Sequence, residues 1–408
     1  MFTLGVAGLL AAAAAVHEIA LRRGSGAARF SEWWRLVRVA ALAFLLVAAA
    51  ELGSLAELHP RLAGLFAARL PAVPEGLLEP AGDVALCRPP ATARPESPFP
   101  ESGGEAAVAS WRAELRERLR RLFGYPAERP PAPAYRVEKR ERAGPVERVW
   151  LRYESFDGAW IPAILQRPAA PGDRPAVLVI PGHGLGMTAA AGLVSDYQHG
   201  AAFELARAGF VTLTPELRGF GVLGEPRHTE HRLVAYNALL SGRFYKAFLA
   251  RDLGRALDLL ESLPGVLPAR IGVAGASFGG EMAATIAALD ERVRTVAVNA
   301  FGGRVGPAPC VTGEAGAPLP RQPHGCHLIP GINRLLARED WFRLLAPRPL
   351  LVALGRAPEP GFAEVVRRAW GELAGRVEIH SAPAGHLFHV DLTVRFLERW
   401  LRPEQERP

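Results

Sequence analysis

The chain has 408 residues, of which 49% are hydrophobic and 22% charged, and its formal net charge is +7. That content is ample for a large core, and the length allows one large domain with an appendage or two domains. The positive balance does not mark a nucleic-acid partner. Lys139 and Lys246 are the only lysines, and arginine is scattered along the whole chain rather than gathered in a patch. The densest basic run, residues 112–121, alternates with Glu114 and Glu117 and reads as the solvated face of a helix.

Residues 1–16 are apolar and uncharged, and residues 39–50 form a second apolar run. Both fall short of the ~20 residues of a spanning helix unless flanking residues are counted. Arg22, Arg23, Arg29, Arg35 and Arg38 lie between them, and Trp33 and Trp34 precede the second run. The expectation for residues 1–70 is an apolar helical segment in which residues 1–56 form a transmembrane hairpin. Its basic loop would stay inside, leaving the rest of the chain extracytoplasmic. A cleaved signal or soluble Ala/Leu-rich helices are the alternatives, and the start Met1-Phe2-Thr3 lacks the basic opening of a secretory signal.

Residues 71–104 are rich in Pro, Glu, Gly and Ser and read as a linker. Val108, Trp111, Leu115, Leu119 and Leu122 then recur at helical spacing, with Gly124 as a stop signal. Beyond this helix, strand-like stretches fall at residues 146–153, 161–166, 176–180, 211–214, 270–274, 293–298, 350–354 and 377–380. Helical patterns occupy residues 247–263, 280–289, 362–373 and 390–401. Early hairpin-like strands followed by β–α repeats predict an α/β domain over residues 105–408. Its sheet would be mostly parallel with an antiparallel edge and helices on both faces. Residues 301–347, rich in Gly and Pro, read as an insertion or lid. No pair among Cys87, Cys310 and Cys326 has C-x-x-C spacing. Cys310 and Cys326 would form either a disulfide or two unlinked thiols.

Gly275-Ala276-Ser277-Phe278-Gly279 is a G-x-S-x-G match between a strand and a helix, the context a nucleophile elbow requires. An incidental serine in a Gly-rich β–α turn is the alternative. A serine hydroxyl needs a base. His386, in Ala384-Gly385-His386 after the last strand, is the candidate, with His389 second. Glu359, the first carboxylate after the strand at 350–354, is the candidate acid, and Glu314 is its alternative. The strand at 176–180 ends in Pro181-Gly182-His183-Gly184, so the oxyanion donors are assigned to the backbone N–H groups of His183 and Phe278. As a metal ligand, His183 has no second ligand at a suitable spacing.

From about residue 106 the chain resembles the α/β-hydrolase superfamily, in the branch of dienelactone hydrolases and acetyl xylan esterase-like proteins. Five stretches carry the resemblance besides the elbow. They are Pro181-Gly182-His183-Gly184, Pro215-Glu216-Leu217-Arg218-Gly219-Phe220-Gly221, Arg251-Asp252, Ala346-Pro347-Arg348-Pro349-Leu350-Leu351 and Gly385-His386. The resemblance implies a Ser–acid–His triad and ester hydrolysis through an acyl-enzyme. The family pattern Gly-x-x-Asp in the acid loop is broken, because Pro358 stands where the aspartate belongs. The expectation is therefore a serine carboxylic ester hydrolase with no cofactor and a small-molecule ester as substrate. A prolyl-oligopeptidase-like serine peptidase and a membrane-tethered, non-catalytic binding protein are the alternatives.

Overall fold

The computed structural model describes residues 95–225, 229–307, 325–383 and 385–402, all within one compact unit. The expected transmembrane hairpin, Cys87, Cys310 and Glu314 lie outside the described residues. No helix among the described residues is long and apolar enough to cross a membrane.

A nine-stranded sheet organises the unit, in the order β1-β2-β3-β5-β4-β6-β7-β8-β9. Strands β1 (Tyr135–Ala143), β2 (Val146–Glu154) and β3 (Trp160–Pro168) form an antiparallel edge, and β3 pairs antiparallel with β5 (Val211–Pro215). From β5 through β4 (Arg174–Ile180), β6 (Val266–Ala276), β7 (Val293–Asn299), β8 (Leu350–Leu354) and β9 (Val377–Ser381) every pairing is parallel. Each strand expected from the sequence is present within a few residues. β1 was not expected: YRVEKRERA is charged and almost wholly exposed, as befits an edge.

The longer helices around the sheet among the described residues are α1 (Gly104–Phe123), α2 (Ala201–Arg207), α3 (His231–Leu240), α4 (Tyr245–Ser262), α5 (Phe278–Leu289), α6 (Phe362–Arg367) and α7 (Val390–Leu401). The pleat sends alternate side chains to opposite faces. Leu178 and Ile180 of β4 join the core under α1, α4 and α5, while Val177 and Val179 join the core under α2 and α7. Burial of both faces explains why the central strands are continuous apolar runs.

Helix α1 buries Val108, Trp111, Leu115, Leu119 and Phe123, and Gly124 closes it in the left-handed conformation. Its arginines are not merely solvated. Arg116 Nε donates to Ala288 O at 3.0 Å and Arg120 Nε to Leu289 O at 2.8 Å. These carbonyls end α5, where the helix has no acceptors' partners of its own and its dipole is negative. The end of the expected linker also packs on α1. Phe99 is buried edge-on against Trp111, whose Nε1 donates to Ser97 O. Within the expected insertion, Cys326, Leu336, Phe342, Leu344 and Leu345 are buried in the core, so its described part is not a free-standing lid.

Arg120→Ala removes a charged donor from a part-buried helix end and is expected to cost about 1–3 kcal/mol. Arg121→Ala, whose pair with Glu117 is exposed, should cost less than about 1 kcal/mol. Urea unfolding midpoints of the two variants check the ranking.

Candidate active site

The last residues of β6 are buried, and the chain then turns at once into α5. Ser277 makes that turn with φ 58° and ψ −125°, a conformation that a non-glycine residue holds only under constraint. The constraint is visible. Ser277 N donates to Asn299 O at 2.9 Å, and Glu281 N donates to Ser277 O at 3.0 Å, closing the first helical turn. A Cβ on Gly275 would overlap the Gly279 carbonyl, and a Cβ on Gly279 would overlap the Ile180 carbonyl. The two glycines are thus the condition for α5 to start against β4 and β6.

Phe278 opens α5, where its N–H has no acceptor within the helix. Its ring lies 5.1 Å from that of His183 in the loop after β4, so the two residues assigned to the oxyanion hole are neighbours. Gln198 Oε1 accepts the Gly182 N–H at 3.0 Å and holds that loop. Glu216, at the end of β5, accepts N–H groups from Met187, Leu217 and Val222 and ties the β4 and β5 loops together. Burial lifts its carboxyl to about 8, against the three donors.

His386 follows β9 on an exposed turn. Desolvation of its ring, and then the charge of Arg356, lower its pKa below the ordinary 6.5. Tyr197 stands between His386 and Ser277. Its phenol donates to His183 O at 2.8 Å and sits beside Ser277, and its ring lies 5.4 Å from His386. No direct hydrogen bond joins Ser277 to His386 among the described residues. Contacts of this kind often tighten only around substrate. Nothing in the sequence of Tyr197 marked it for this position.

His389 forms the N-cap of α7 rather than lying inside it, and its backbone N–H donates to Asn299 Oδ1 at 3.1 Å. Asn299 was also missed. Fully buried at the end of β7, it holds the nucleophile turn through its carbonyl and the histidine loop through its side chain.

Glu359 is not brought to His386. Its Oε2 accepts the Val305 N–H at 2.9 Å and lies 3.9 Å from Arg338, and its own N–H donates to Gly303 O. The acid loop does approach the histidine turn, but through Gly355, whose added Cβ would overlap Gly385 O. Among the described residues no carboxylate hydrogen-bonds to His386. Arg218 and Asp252, parts of the motifs noted above, form a buried pair at 2.7 Å that packs the β5 loop onto α4.

Behind Phe278, His183 Nε2 lies 3.4 Å from Cys326 Sγ. His327 Nδ1 lies 2.5 Å from Glu281 Oε2, and Lys246 Nζ 2.6 Å from Glu281 Oε1. Lys246 and His327 outweigh burial and hold the Glu281 carboxyl down at about 2. Cys326 is a buried free thiol. Burial and Glu281 push that thiol up to about 12.

Residues 161–319 match the dienelactone hydrolase family. Over that span the chain is similar to the α/β-hydrolases of that family. The matched span holds the β4 loop and the elbow and ends before the acid loop and His386. The proposed hydrolase YtaP of Bacillus subtilis (strain 168) is 28% identical over 322 residues, covering 71% of this chain and all of that protein. A proposed acetyl xylan esterase from Bacteroides fragilis shares the fold with a TM-score of 0.62 at 17% identity, over 78% of this chain and 89% of that one. A glucuronoyl esterase from Solibacter usitatus has a TM-score of 0.50 at 18% identity, over 78% and 98% of the two chains.

His386 is expected to titrate below 6.5, and Arg356→Gln to move its midpoint upward. Imidazole shifts followed by NMR, assigned through a His386→Gln variant, check both.

Proposed function

We propose that this domain is a serine-dependent carboxylic ester hydrolase acting through an acyl-enzyme. The observation that carries the proposal is the strained backbone of Ser277 at the start of α5. The turn exposes the hydroxyl beside the first N–H groups of a helix, where a developing anion is stabilised. In this reading Ser277 attacks the ester carbonyl. His386 takes its proton and later returns it to the leaving alcohol. The N–H groups of His183 and Phe278 hold the oxyanion. The lowered pKa of His386 keeps it neutral, the state a base needs, at neutral pH.

Glu359, engaged with Val305 and Arg338, is not the orienting acid in this proposal, and Ser277 and His386 work as a dyad. A second reading, a binding protein that kept the fold, draws on the same displaced carboxylate and on Pro358 in the family's acid position.

Ser277→Ala is expected to lower turnover of short-chain aryl esters by several orders of magnitude, on the ~10⁶-fold scale of triad nucleophiles. A fluorophosphonate probe should label the parent at Ser277 and leave the variant unlabelled. A folded parent that takes no label, and turns over no ester, would favour the binding protein.

Glu359→Gln should change turnover by less than about tenfold, where disabling a working triad acid costs nearer 10⁴-fold. A loss of that larger size in steady-state assays would restore Glu359 to the triad.

A further inference from the structure

The cluster behind Phe278 is built from residues far apart in sequence. His183 leaves β4, while Cys326 and His327 sit in the 3₁₀ turn Gly325–His327. One donor atom from each lies within 4.8 Å of the others. The 3.4 Å between His183 Nε2 and Cys326 Sγ is close to the ~3.5 Å that tetrahedral zinc imposes on a nitrogen and a sulfur ligand.

The surroundings match as well. A metal-bound histidine ordinarily donates its second ring N–H to a carboxylate, which fixes the tautomer and aims the other nitrogen at the ion. His327 Nδ1 is so placed on Glu281, and Glu281 is itself anchored by buried Lys246. With Nδ1 on Glu281, the nitrogen the proposal assigns to the metal is Nε2 of His327. Phe220 and Phe278, each with a ring centroid within about 5 Å of His183, wall the cluster with apolar surface. A thiolate and two imidazoles select zinc-class ions over magnesium or calcium.

We propose that His183, Cys326 and His327 form a three-ligand site for a divalent transition metal of the zinc class, with Glu281 orienting His327. As the metal–sulfur bond forms, the thiol proton passes to solvent. Three ligands among the described residues leave a fourth position to be filled in a tetrahedral site. Occupancy ties the 325–327 turn to the loop after β4. The site does not depend on the chain hydrolysing esters.

The test uses the full chain, reduced, stripped with a chelator and titrated with cobalt(II). The expected result is one equivalent bound, tetrahedral visible bands and a thiolate-to-cobalt charge-transfer band, all abolished by added zinc. Cys326→Ser should lose the charge-transfer band, and His327→Gln should weaken cobalt binding at least tenfold. Cys87→Ser and Cys310→Ser should keep the band. Circular dichroism identifies variants that fail to fold, and His183→Gln then replaces any that does. No band in the full chain would overturn the proposal, as would a band that survives Cys326→Ser. A hydrogen-bonded His183–Cys326 pair without metal affinity would give the first of these results.

Discussion

The backbone of Ser277 is the constraint on which the rest of the domain depends. A side-chain-bearing residue with φ 58° is unfavourable alone and persists because neighbours leave no alternative. Those neighbours come from several elements. Gly275 and Gly279 let α5 begin in contact with β4 and β6, and Asn299 at the end of β7 accepts the Ser277 N–H. At the other end of α5, arginines of α1 and Arg348 bind its last carbonyls. The helix is therefore fixed at both termini by groups that complement its dipole.

Asn299 carries this constraint to the second half of the site. Its side chain accepts the His389 N–H and donates to Thr393 in α7 at 3.1 Å. The Phe388 N–H donates to Tyr197 O at 2.8 Å. The turn bearing His386 is thus held by backbone hydrogen bonds on its C-terminal side. The same Tyr197 sits beside both Ser277 and the His386 ring, so one residue borders the two halves.

The parts of this arrangement that were legible in the sequence are the local ones. The central strands are continuous apolar runs, and the elbow sits where a strand runs straight into a helix. The histidine follows the last strand directly. What sequence did not disclose depends on distant pairing. Residues 112–121 alternate in charge like any solvated face, and nothing in them says that two arginines meet carbonyls 169 and 172 residues away. His183 lacked a ligand at metal spacing because its neighbours Cys326 and His327 lie some 143 residues on. Strand β1 escaped notice because an edge strand with both faces exposed has no apolar alternation to read.

The acid position shows how a local break in a motif spreads through the site. With Pro358 in place of a carboxylate, the loop after β8 presents Gly355 to the histidine turn and the charge of Arg356 to His386. Glu359, one residue further along, bonds instead to the Val305 N–H beside Arg338. A carboxylate on His386 would both orient the ring and stabilise the imidazolium formed during attack. Here orientation falls to the backbone contacts of residues 388 and 389, and the nearby charge opposes the imidazolium. A cationic neighbour that disfavours the charged histidine also keeps it available as a base at lower pH. In the proposed dyad, the arrangement would trade strength of proton abstraction for a neutral, ready imidazole.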